Sequence, residues 1–113
     1  MAEMGKVISC HNLGSWNQQL LKAKQYNKLL VVNFTAKWCG SCRAMAVVLE
    51  ELVKKMNNVN FLKVDIDELN SVANEFEVSA LPSFQFFKNE KLVEKFVGAK
   101  KDVLKRTVLK HAT

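Results

Sequence analysis

The chain of 113 residues is long enough for one domain around a single core, and 49% hydrophobic with 25% charged residues is an ordinary globular balance. No apolar run approaches the roughly 18 residues that cross a bilayer, and one proline with four glycines leaves no low-complexity linker or repeat. The net charge of +6 is carried largely by late lysines spaced between apolar residues. With no RRM, KH or finger motif beside them they read as a solvated face that excludes nucleic acid and leaves a mild attraction for acidic partners.

Met1-Ala2-Glu3-Met4-Gly5-Lys6 leads only into Val7-Ile8, which predicts no secretory leader, and Ala2 stands where myristoylation needs glycine. Val7-Ile8 predicts a short strand. Ser15 to Gln18 has capping-box spacing, and Trp16, Leu20 and Ala23 follow at helical spacing, so a helix is predicted from about Trp16 to Tyr26 with Ser15 as N-cap. Leu29-Leu30-Val31-Val32-Asn33-Phe34 is a near-continuous apolar run, the mark of a central strand buried on both faces. A long helix opens at Cys39-Gly40-Ser41-Cys42, with Met45, Leu49, Leu52 and Met56 along one face. Phe61 to Ile66 reads as a strand, and Leu69, Val72, Ala73 and Phe76 line one face of a shorter helix. Phe84 to Phe87 and Leu92 to Val97 flank a polar Lys88–Lys91 turn and predict a hairpin, and Val103, Leu104 and Val108 mark a last helix. The order β-α-β-α-β-α-β-β-α predicts a mixed sheet, parallel first and antiparallel at the hairpin, with helices on both faces.

Three cysteines are too few for a secreted disulfide framework, and their use fits a reducing compartment. A C-x-x-C at a strand-to-helix junction places its first cysteine where free N–H groups and the helix dipole stabilise a thiolate. A thiolate is the species that attacks a disulfide sulfur. Cys39 is therefore the candidate nucleophile, and Cys42, one turn on, the residue that resolves the mixed disulfide. Gly40 keeps the approach to Cys39 open, and Trp38 offers a flat apolar shoulder to a bound polypeptide. The pair alone also suits a metal or iron–sulfur carrier, but a structural zinc needs four ligands. Cys10, His11 and His111 supply no second pair at ligand spacing, so no metal site is assigned.

Phe34-Thr-Ala-Lys-Trp-Cys-Gly-Ser-Cys-Arg43 resembles the active site of the thioredoxin family, in its plant h-type branch. Val7-Ile-Ser-Cys-His11, Phe61 to Leu69, Leu81-Pro82 and Val97 to Asp102 carry the likeness along nearly the whole chain. For residues 1–113, read as a single thioredoxin domain, the resemblance implies an α/β fold with a five-stranded mixed sheet in order 1-3-2-4-5 and four flanking helices. It further implies a cytoplasmic protein-disulfide reductase with no bound cofactor and a redox-active Cys39–Cys42 disulfide. Its partners would be target proteins with disulfides and either thioredoxin reductase or the glutathione/glutaredoxin system, with no nucleic acid and no membrane. Pro82 corresponds to the family's cis-proline, leaving the backbone of Leu81 free to pair with a substrate strand. Gly98 and Ala99 join Trp38, Leu81 and Pro82 as implied substrate contacts.

Four departures stand out. Ser41 replaces the usual proline and brings a hydroxyl near Cys39. Asn33 replaces a buried acid beneath the cysteines, so that Lys63 loses the counter-ion the resemblance implies; the amide is expected to be satisfied by strand and side-chain hydrogen bonds. Val47 replaces a proline that kinks the active-site helix, and Asn89-Glu90 lacks a turn glycine. These changes leave open a second reading, a low-turnover binding or chaperone-like module that keeps the groove. Cys10 is either a regulatory redox handle or a small residue at a strand end. His11 and His111 are expected to be exposed, with no partner that the sequence names, Met45 and Met56 to lie in the core, and Trp16 to pack its helix.

Overall fold

The computed structural model describes residues 5–112. The opening Met1 to Met4, read above for leader and myristoylation signals, lies outside the described residues. The unbroken apolar run forms β2, Leu29–Thr35, whose first six residues are all buried. A strand buried on both faces needs neighbours on both edges and layers above and below. β2 pairs parallel with β3, Val59–Asp65, and antiparallel with β4, Ser83–Lys88. β1, Val7–Cys10, adds parallel to β3, and β5, Lys91–Val97, antiparallel to β4. The sheet order is β1-β3-β2-β4-β5, the mixed sheet that the resemblance implied.

Alternation along β2 divides the core. Leu29 and Val31 pack with Phe61, Phe84 and Phe86 beneath α2, Gly40–Lys55, and α4, Lys101–His111. Leu30, Val32 and Phe34 pack with Leu62, Val64, Cys10 and Trp16 on the other face, under α1, Leu13–Tyr26, and α3, Asn70–Glu75. Met45 is buried and Met56 packs against the first cluster, both as core residues.

Three local expectations change. The first helix starts at Leu13, because Asn12 and not Ser15 is the N-cap: the extended Asn12 accepts from Ser15 N at 2.8 Å, and Trp16 N bonds to its carbonyl at 3.0 Å. Asparagine caps as well as serine does, and the earlier residue nucleates the ladder. The third helix is only six residues, with Leu69 and Phe76 as its flanking caps, and Glu77 turns the chain left-handed at φ 57°. At the hairpin, Lys88 pairs with Lys91, so the loop is Asn89-Glu90 alone, with φ values of 53° and 66°. That is the handedness a two-residue hairpin needs, met here without glycine.

Val47 is exposed in the middle of a continuous α2, where its N–H keeps its place in the ladder. His11 is exposed as expected, whereas His111 is not, and both have carboxylate partners distant in sequence. His11 Nδ1 meets Glu68 Oε1 at 3.0 Å, and the largely buried His111 meets Glu94 Oε1 through Nε2 at 2.8 Å. The His111 hydrogen bond is the main cause that holds the Glu94 carboxyl below the ordinary range.

Candidate active site

The chain leaves β2 at Thr35, crosses Ala36 to Trp38, and enters α2 at Gly40 with Cys39 as N-cap. The Cys39 side chain performs the cap: its sulfur accepts from Cys42 N at 3.2 Å. It therefore sits on the free N–H groups and positive end of a sixteen-residue helix. Cys39 and Cys42 are joined as a disulfide with Cα atoms 5.3 Å apart. Cys39 retains 7% exposure and Cys42 only 1%, so Cys39 presents the more open sulfur. Ser41 Oγ lies 3.5 Å from the Cys39 sulfur.

Around the pair the sheet gathers residues from three other segments. Ala36 forms a small cluster with the two cysteines, and Ile66 and Leu81 pack against it. Trp38 is 68% exposed, and its Nε1 donates to Asp67 Oδ2 at 2.9 Å. Asp67 N in turn donates to Asp65 Oδ1 at 2.8 Å, fixing the loop that follows β3. The Leu81–Pro82 peptide bond is cis. A cavity of about 400 Å³ runs past Trp38, Cys39, Gly40 and Ser41 to Ile66 and Leu81. Gly98 N donates to the Pro82 carbonyl at 2.8 Å, tying the end of β5 to this loop, with exposed Ala99 next along the chain. Gly98 has φ 114°, a conformation that a side chain strains.

On the inner side, Asn33 lies opposite Lys63 on β3 and Phe84 on β4. It is 1% exposed, and neither amide atom finds a hydrogen-bond partner among the described residues. The expectation of a satisfied amide is thus corrected: the ladder consumes the neighbouring backbone groups, and Phe84 has none to give. Half-buried Lys63 lines a second cavity, about 350 Å³, together with Cys42, Asp65 and Cys10. Cys10 is a free thiol at 1% exposure. Burial pushes this thiol up from its ordinary range, outweighing a hydrogen bond with the Ser15 side chain. Little thiolate forms there, which favours the packing reading over the redox handle. No group of three or more His, Cys, Asp or Glu residues is arranged to hold a metal ion among the described residues.

The thioredoxin family model matches residues 7–110. The chain belongs to the thioredoxin family. It is 54% identical over 110 residues to the H-type thioredoxin of Ricinus communis, covering 97% of this chain and 93% of that one. To thioredoxin H1 of Arabidopsis thaliana it is 52% identical, covering 97% and 96%. Among solved structures, the crystal structure of thioredoxin NaTrxh from Nicotiana alata superposes with a TM-score of 0.91 at 46% identity, over 95% of this chain and 93% of that one. This thioredoxin is a dithiol–disulfide oxidoreductase, a protein-disulfide reductase of the plant H-type kind.

The groove unites Trp38, Cys39 and Leu81, named from the sequence, with Cys42 and Pro82 beside it, and adds two residues not named for the site from the sequence, Ile66 on its wall and Asp67 on the Trp38 indole. Their signal was available in Asp65-Ile66-Asp67, a loop at the carboxyl end of a parallel strand, the edge where α/β sheets collect their sites.

Proposed function

We propose that this thioredoxin, acting as a single domain, reduces target-protein disulfides with Cys39 as nucleophile and Cys42 as resolving residue. The observation that carries the assignment is the cap: Cys39 holds the helix N-terminus and is the more open sulfur of the pair. In the reduced protein the Cys39 thiolate attacks one sulfur of the target disulfide, and the displaced target thiolate takes up a proton. The Cys42 thiol then loses its proton and attacks the Cys39 sulfur of the mixed disulfide. The second target thiolate leaves, the target has gained two electrons, and the Cys39–Cys42 disulfide of this structure results.

The roles of the surrounding residues follow. Ser41 donates its hydroxyl to the Cys39 thiolate, which steadies the reduced state. Trp38, braced by Asp67, forms one wall for an extended target segment. The backbone of Leu81 pairs with that segment while Pro82, Gly98 and Ala99 shape the floor. Lys63 shares a cavity with Cys42, and Asn33, paired with it across β2 and β3, stands where the family carries a buried acid; the two set the medium in which the Cys42 proton leaves.

Cytoplasmic residence and reduction by thioredoxin reductase or by glutathione with glutaredoxin are part of the proposal. Similarity to the H-type proteins supports them, and no helix among the described residues is long and apolar enough to cross a membrane. Insulin reduction, driven in parallel by dithiothreitol, by thioredoxin reductase with NADPH, and by glutathione with glutaredoxin, tests the function and names the electron donor. Turnover with dithiothreitol and with one enzymatic system is expected; no turnover in any arm refutes the assignment. Asn33, which cannot titrate, favours the second reading of a slow module that binds more than it turns over. Tight target capture with turnover near background would establish it.

A further inference from the structure

The groove beside Cys39 is walled by neutral residues, including Trp38, Gly40, Ser41 and Leu81. Cations stand at its margin. Arg43 Nη2 lies 3.6 Å from the point that a Cβ on Gly40 would occupy, and Arg43 Nη1 donates to the Lys37 carbonyl at 3.0 Å. The Lys100 side chain folds over Gly98, with Cε, Cγ and Cδ at 3.4, 3.7 and 3.9 Å from the corresponding point. Gly98 is bonded in turn to the Pro82 carbonyl, next to Leu81 on the groove wall. Lys37 and Lys101 are exposed close by in the chain. Carboxylates border it too and keep their charge: Asp67 accepts from the Trp38 indole, Asp102 lies in the first turn of α4, and Asp65 and Glu68 share the second cavity with Lys37 and Arg43, Glu68 pairing with His11. The cations set closest to the groove backbone are Arg43, against Gly40, and Lys100, against Gly98.

A long cationic chain already laid against backbone, with its head in water, loses less freedom on meeting an anion than a free one does. We infer that Arg43 and Lys100 make this thioredoxin selective for target disulfides flanked by acidic residues, the ligand being an extended acidic segment of a protein. The inference rests on the Cys39/Cys42 exchange proposed above and adds its substrate preference. Margin charges act chiefly on the rate of encounter and are screened by salt. Two of them together favour an acidic over a basic flank by about 3–10-fold at low ionic strength.

The test uses three peptides of equal length, each closed by one disulfide flanked by Asp, Ala or Lys pairs. Their reduction by the full dithiothreitol-reduced chain is timed in single turnover at low salt and at 1 M salt. The order Asp, then Ala, then Lys is expected at low salt, collapsing at high salt. Arg43→Gln with Lys100→Gln should level the three rates, and Arg43→Glu with Lys100→Glu should invert them. Lys55→Glu, which changes net charge at the far end of α2, should keep the order. Equal wild-type rates on all three peptides overturn the inference while leaving the exchange reading intact. So does a Lys55→Glu variant that shifts the order as far as the double reversal, since the effect would then be net charge and not groove charge. Reduction of no peptide at all refutes the exchange reading itself.

Discussion

Replacing Asn33 by aspartate changes almost no volume and puts a titratable carboxyl where the structure provides no hydrogen-bond partner and 1% exposure. Its surroundings are Phe84 on one side and half-buried Lys63 on the other. Desolvation raises buried carboxyls by up to ~3–5 units, and a cation one strand away offsets part of that. A net rise of about 2–3 units corresponds to roughly 3–4 kcal/mol. The sign follows from linkage. The folded carboxyl lies above its unfolded value near ~3.9, so the variant matches the wild type best below about pH 4. Its deficit grows as pH rises toward the folded pKa and is complete above it. Urea melts of both proteins at pH 4, 7 and 9 measure the difference directly. A second readout is resolution of a mixed disulfide formed on Cys39: a carboxylate placed to take the Cys42 proton should accelerate it above neutral pH, within the ~10²–10⁴-fold that a positioned base contributes. Asn33→Leu supplies the control, since removing two unsatisfied polar atoms should leave stability equal or higher and the resolution profile unaltered in shape. Equal melts for wild type and Asn33→Asp from pH 4 to 9 would refute the desolvation argument. Superimposable resolution rates would refute the role of position 33 in proton transfer.

Further outcomes follow from the same geometry. Cys39→Ser should abolish reduction and Cys42→Ser should trap mixed disulfides visible on non-reducing gels; full turnover by Cys42→Ser would show that one cysteine suffices. Ser41→Ala removes the hydroxyl 3.5 Å from the Cys39 sulfur, and losing ~1 kcal/mol of thiolate stabilisation makes the couple more reducing by about 20 mV. Equilibration against a glutathione buffer measures this, and an unchanged or higher potential counts against the bond. In the oxidised protein Cys10, the one free cysteine among the described residues, should react with maleimide only as the chain unfolds, whereas labelling within seconds under native conditions would reinstate it as a redox handle. Glu90 is held at φ 66° in an exposed turn, so Glu90→Gly should add about 0.5 kcal/mol, or roughly 2–4 °C in thermal midpoint. A lower midpoint would show that the 3.7 Å pair with Lys24 outweighs the backbone relief.

The sequence by itself determined what depends on neighbours along the chain. The short apolar run at Leu29 to Phe34 reads as a buried central strand, the hairpin around Asn89-Glu90 follows from two apolar segments flanking a polar turn, and a C-x-x-C entering a helix marks Cys39 as the reactive sulfur. The local reading of the first helix cap slipped where neighbours compete on nearly equal terms, Asn12 against Ser15. The tertiary structure alone decided contacts that cross the chain. Asp67 braces Trp38 across 29 positions, Ile66 and Leu81 pack on the cysteine cluster, and both histidines find carboxylates on other elements. It also decided the solitude of Asn33: a buried amide is satisfied or orphaned according to what the adjoining strands place beside it, and that depends on register and topology rather than on the residue or its spacing.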